Sequence, residues 1–154
     1  MAKKRPNTMP FWRFLFLVYC SVMFWLLFYR SHSWNLDIAY KELLQQNTNL
    51  IPFRTIENYR YVLQHSTDAY MRAHCFLNLA GNVLLFMPAG WLLPKIWKRK
   101  RNFFRFFALS SGLLFLIETV QLFSLLGRFD VDDLILNLLG MTAGFLLYTI
   151  FRKT

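Results

Sequence analysis

The chain has 154 residues, of which 56% are hydrophobic, 19% aromatic and only 17% charged, where a soluble domain carries about 25% charged residues. One domain's core cannot hide that much Phe, Leu and Trp from water. The composition therefore excludes a disordered chain and a collagen-like fibre, and two Cys exclude a disulfide scaffold; a membrane protein is left. The net charge of +10 does not mark a nucleic-acid partner. The basic residues cluster beside apolar runs of spanning length, which is what lipid and insertion machinery select.

Four runs approach the roughly 20 residues a helix needs to cross about 30 Å of hydrocarbon. They are residues 11–29, 75–97, 103–126 and 133–151. The expected architecture is all-α, a single polytopic membrane domain over residues 1–154 with four transmembrane helices. The first run follows a basic segment, but it is long and no small-x-small cleavage site follows it, so it reads as an uncleaved anchor. Residues 30–74 form one long connection. Within it Ile38–Asn47 and Arg54–His65 read as short helices, with Pro52 breaking the chain in Asn49–Phe53 (NLIPF). Trp34, Ile51 and Phe53 suit a loop lying on the membrane surface.

Lys and Arg set the orientation. With the N-terminus inside, twelve of the eighteen basic residues fall inside: Lys3, Lys4, Arg5, Arg13, Lys95, Lys98–Arg101, Arg105, Arg152 and Lys153. All eight acids fall outside or in the outer half. Both termini are expected in the cytoplasm, with the 30–74 loop outside.

Polar residues within the spans each need a reason. In the second span Asn78 and Asn82 are spaced i, i+4 on one face, with Asn82 about 10 Å inside Cys75. Gly81 and Gly90 suit close helix packing, and Pro88 is expected to kink the helix near Leu84. In the third span Glu118 and Gln121 share a face, with Glu118 about 12 Å below Leu126. An acid at that depth is paired, hydrated in a cavity, or protonated. In the fourth, Asp133, Asn137, Gly140 and Gly144 make one stripe, and Gly140-x-x-x-Gly144 lets another helix approach closely. Arg128, Asp130 and Asp132 crowd the short connection before it.

These sets converge at one depth, so the economical packing is a polar pocket opening to the outside. Glu118 with Asp133 or Asp130 is the candidate acid/base pair. Asn78, Asn82, Gln121, Arg128, Asp132, Asn137 and Arg54 are the candidate ligand-binding residues. Arg128 is the first candidate counter-ion for Glu118 or the Asp cluster, with Arg54 and Arg72 behind it. Blander readings stand beside these. The Asn residues can glue helices by hydrogen bonds, and one of the three Asp residues can cap the fourth helix. His32, His65 and His74 read as surface residues, and Cys20 and Cys75 lie too far apart in depth to bridge. No phosphate loop, H-E-x-x-H or G-x-S-x-G is present, so no cofactor or metal is expected.

Asn78-x3-Asn82 with Pro88-x-Gly90, then Glu118-x2-Gln121, then Arg128, Asp130 with Asp132 or Asp133, Asn137, Gly140 and Gly144, resembles the ordered pattern of the VanZ-like membrane proteins. NLIPF is similar to that family's outer loop, and the likeness runs from about Asn49 to Phe151. The resemblance implies a cell-membrane protein linked to reduced teicoplanin susceptibility. The partners it implies are membrane lipids, a lipid-linked cell-wall precursor or a lipoglycopeptide. A helix-mediated oligomer or an envelope complex built on the Gly140–Gly144 face is the structural alternative.

Overall fold

The computed structural model describes residues 9–29, 39–97 and 102–152. The expectations placed on Lys3, Lys4, Arg5, Arg30, His32, Trp34, Asp37, Ile38, Lys98–Arg101 and Lys153 lie outside the described residues. The elements in chain order are α1 (Met9–Phe28), α2 (Tyr40–Gln46), β1 (Thr48–Asn49), α3 (Arg54–His65), α4 (Ala69–Ile96), α5 (Phe103–Phe123), β2 (Phe129–Asp130) and α6 (Val131–Arg152). Four of them, α1, α4, α5 and α6, are long and apolar enough to cross a membrane. The two short helices expected in the long connection are present as α2 and α3.

Helix ends follow local chemistry more closely than hydropathy. α4 begins six residues before the apolar run, because Asp68 caps it, accepting from Tyr70 N at 2.8 Å. Its 28 residues span roughly 42 Å, more than a hydrocarbon core. It runs unbroken through Pro88 and Pro94. α5 begins after Asn102, which accepts from Arg105 N at 3.2 Å. It ends three residues early, where Leu125 turns to φ 56° and the Gln121 carbonyl takes up Leu126 N and Gly127 N.

α4 and α6 run parallel and share the most extensive helix contact. Three glycines make this seam. A Cβ at Gly140 would overlap the Val83 carbonyl, one at Gly144 the Met87 carbonyl, and one at Gly90 the Met141 carbonyl. In lipid, where apolar burial gives no drive between helices, such backbone approach is what packing rests on. Gly81, expected among the packing positions, is not part of the seam: a side chain there would meet nothing within 4 Å. It lies two residues before Val83, about 200° around the helix from the contact face. Pro88 is likewise exposed.

α5 packs antiparallel on α6, with Phe106 stacked on Phe145 at 4.6 Å. α1 lies at the periphery, burying only Met23. Tyr19 donates to the Leu85 carbonyl at 2.9 Å. At the far end Trp12 meets Trp91 edge-on, and the Lys95 ammonium lies 3.3 Å from the Trp91 ring centre.

The connection from α2 to α3 is tied to the bundle at three places. β1 and β2 pair in parallel, Thr48 with Phe129 and Asn49 with Asp130. Tyr40 donates to the Phe123 carbonyl at 2.8 Å. The third tie is made by two acids, described next.

Candidate functional site

The three neighbouring Asp residues do three different jobs. Asp132 is fully buried at the start of α6. One of its oxygens accepts from Phe53 N; the other accepts from Thr55 N at 2.7 Å and Ile56 N at 3.2 Å. It therefore caps α3 from another helix, 79 residues away from Phe53. That cap also holds Phe53 at φ 66°, a left-handed conformation that costs a non-glycine residue about 1–2 kcal/mol.

Asp130 accepts from Thr55 Oγ1 at 2.6 Å, Asn49 Nδ2 at 3.1 Å and Asp132 N at 2.9 Å. It caps α6 and fastens the Asn49–Thr55 turn at once. NLIPF is thus a clamped loop, with Leu50, Ile51 and Phe53 left exposed on it.

Asp133 is different. It turns inward, and Asn82 Nδ2 donates a short hydrogen bond to its Oδ1. Glu118 of α5, only 4% exposed, faces the Asp130 main-chain N–H and lies close enough to Asp133 for their charges to interact. Asn137, one turn further along α6, is 3% exposed, and its Oδ1 has no partner among the described residues. The same holds for Ser110 Oγ on α5. Two carboxyls, an amide that holds one of them, and an unsatisfied amide oxygen are gathered between α4, α5 and α6.

No cation accompanies this centre among the described residues. Arg128 was the expected counter-ion, but its guanidinium is exposed and donates through Nε to Asn47 Oδ1 at 3.3 Å. Arg54 is exposed on α3 and Arg72 on α4. Gln121 is buried, but its amide donates to the Leu27 carbonyl at 3.0 Å, so it joins α5 to α1. No hydrogen bond joins it to Asp133 among the described residues. Among the described residues no group of three His, Cys, Asp or Glu side chains is placed to hold a metal ion. Cys20 and Cys75 are free thiols.

Towards the α3 end, Asn78 lies 3.5 Å from Tyr59 Oη and 3.3 Å from His74 Nδ1. The Tyr59 and His74 rings meet edge to face. Burial first, and then the Asp133 charge, push the Tyr59 phenol above its usual value, so it stays protonated at neutral pH. Tyr59 escaped the sequence reading; His74, read as a surface residue, is exposed, and what that reading lacked is its place beside Asn78. The signal was there in spacing: Thr55 and Tyr59 share one face of α3, and His74 and Asn78 one face of α4, both at i, i+4.

The buried acid, the clamped loop and the glycine seam all fall on the ordered positions that carried the resemblance. A family model described as VanZ/LLP1 matches residues 16–152. The chain belongs to the VanZ-like family. No curated protein and no solved structure matches it. In VanZ-like terms the ordered motif thus divides in two. Asp130, Asp132, Gly90, Gly140 and Gly144 build the frame, and Asn82, Glu118, Asp133 and Asn137 form the polar centre within it.

Proposed function

We propose that this VanZ-like membrane protein binds or alters a lipid-type amphiphile of the outer leaflet, with Glu118, Asp133 and Asn82 at the centre of the site, and so lowers susceptibility to lipoglycopeptides such as teicoplanin. The orientation is N-terminus inside, in a bacterial cytoplasmic membrane, which puts the α2–α3 loop and the polar centre at the outer face. The observation that carries this reading is Glu118, buried beside Asp133 with no cation paired to either among the described residues. Such a pair is a poor packing device, since a buried charge without a partner destabilises. It is a good proton donor and acceptor for a headgroup that reaches it.

An intramembrane enzyme acting on a lipid headgroup is the second reading, and the same pair supports it. Asn137 Oδ1, without a partner among the described residues, supplies an acceptor for a donor group on such a headgroup. The reading as a partner of an envelope complex is weaker, because α4 already covers the Gly140–Gly144 face. An oligomer would use another surface.

Teicoplanin susceptibility of a sensitive Gram-positive host tests the proposal. Wild type, Glu118→Gln and empty vector are compared at matched membrane levels, with vancomycin as the unacylated control. Wild type is expected to protect against teicoplanin selectively. Glu118→Gln, which keeps shape and removes the acid, is expected to fall to the empty-vector level. Equal protection by Glu118→Gln would remove the acid from the function. No protection by well-expressed wild type would remove the resistance reading.

A further inference from the structure

We propose that Arg54 and Arg128 hold the phosphate of a lipid headgroup in a cleft on the clamped loop, while the chain of the same lipid lies in an adjoining apolar cleft. The inference rests on the amphiphile reading above and names the chemistry of the headgroup. The first cleft, of about 220 Å³, opens between β1, the start of α3 and β2. Both arginines line it, with Asn58 and Gln46 among the other polar walls. The second, of about 410 Å³, adjoins it along β1 and has Leu44, Leu50 and Ile51 in its lining. Arg54, Thr48 and Asn49 belong to both. Arg54 therefore lies at the junction of a polar hollow and an apolar one, as the headgroup charge of an amphiphile requires.

A count of donors and acceptors decides the sign of the ligand. Asp130 is the acid in the polar cleft, and its oxygens are already taken. Oδ1 receives Asn49 and the Asp132 N–H, and Oδ2 receives Thr55. The Arg54 guanidinium has no partner among the described residues, and Arg128 spends one N–H on Asn47. What the cleft still offers in charged groups is two guanidiniums, and the Asn58 and Gln46 amides can donate beside them, which suits a phosphate. The cleft is also preformed. β1–β2 pairing and the Asp130 and Asp132 hydrogen bonds fix both its walls, so little ordering cost opposes binding. Leu50 and Ile51, 67% and 57% exposed, are the apolar groups that a lipid chain would cover.

The test uses the full chain in phosphatidylcholine nanodiscs containing phosphatidic acid, whose headgroup is a phosphomonoester. Native mass spectrometry reads the lipid retained after release. Wild type is expected to retain phosphatidic acid over phosphatidylcholine by about fivefold or more. Arg54→Gln and Arg128→Gln should each reduce that preference, and the double variant should abolish it. Both arginines are exposed, so the fold should survive; Arg60→Gln, on α3 outside both clefts, should change nothing. Inorganic pyrophosphate, which lacks the chain, should not displace the lipid. A wild type without preference, or a preference that survives the double variant, overturns the proposal. Full displacement by pyrophosphate overturns it as well, since the cleft would then serve a free anion. If Glu118→Gln loses retention while the double arginine variant keeps it, the amphiphile reading stands and the arginine cleft fails.

Discussion

Gly144→Leu is expected to leave little folded protein in the membrane. Even a single methyl group at this position would collide with the Met87 carbonyl, and Trp91 N lies 3.0 Å away. These are backbone atoms of α4 and cannot swing aside. Leucine adds three more carbons to that collision, so α4 and α6 must separate along the most extensive helix contact in the molecule. Overpacking in a flexible core costs about 1–3 kcal/mol; against rigid backbone on both sides the cost is on the order of that range's upper end or more. Separating the two helices also pulls Asn82 from Asp133, since that hydrogen bond bridges α4 and α6. Membrane yield and a thermal melt in detergent check the expectation, with Gly81→Leu as the control. Gly81 faces open space and should accept leucine with no loss of yield.

Asp132→Ala should release the loop from the bundle. Three backbone N–H groups lose one buried carboxylate, and Phe53 loses what holds it at positive φ. Breaking a buried charge-assisted set of this kind costs about 3–5 kcal/mol. The melting temperature should fall by roughly 6–20 °C. Limited proteolysis should then cut between α2 and α3, where the clamped wild-type loop is expected to resist. Asp132→Asn should be nearly as damaging, because the amide keeps one acceptor and turns an NH2 group towards N–H donors. Wild-type protease resistance in either variant would show that the loop is held by other means.

How much of this was legible in the sequence can be judged residue by residue. The four spanning helices follow from apolar runs, and α3 followed from the break at Pro52. The glycine stripe pointed to a close approach, and the seam with α4 supplies the partner. The stripe Asp133–Asn137 and the acid Glu118 were visible as polar groups on helix faces, because periodicity tells which face a residue occupies. It does not tell what that face meets. Asp132 looked like a ligand residue, and its partners proved to be amides 76 to 79 residues away. Gln121 shares a face with Glu118 by spacing, yet its amide reaches α1, whose place against α5 nothing in the sequence fixes. Arg128 was near the acids in sequence and lines one cleft with Asp130, but its Nε donates to Asn47 and not to a carboxylate. In each case the missing fact was a long-range contact.

The central claim is that Glu118 is kept for function while Asp130 and Asp132 are kept for structure. The most direct measurement is the thermal melt of purified Glu118→Gln beside wild type and Asp132→Ala in one detergent. Glutamine can still accept from the Asp130 N–H, and its NH2 can donate to Asp133 in place of a second carboxyl. A residue held at a cost in stability for the sake of activity should melt higher when that cost is removed. Glu118→Gln is therefore expected to melt at or above the wild-type temperature, while Asp132→Ala melts well below it. A fall for Glu118→Gln as deep as that of Asp132→Ala would make Glu118 one more part of the frame and would contradict the functional role assigned to it.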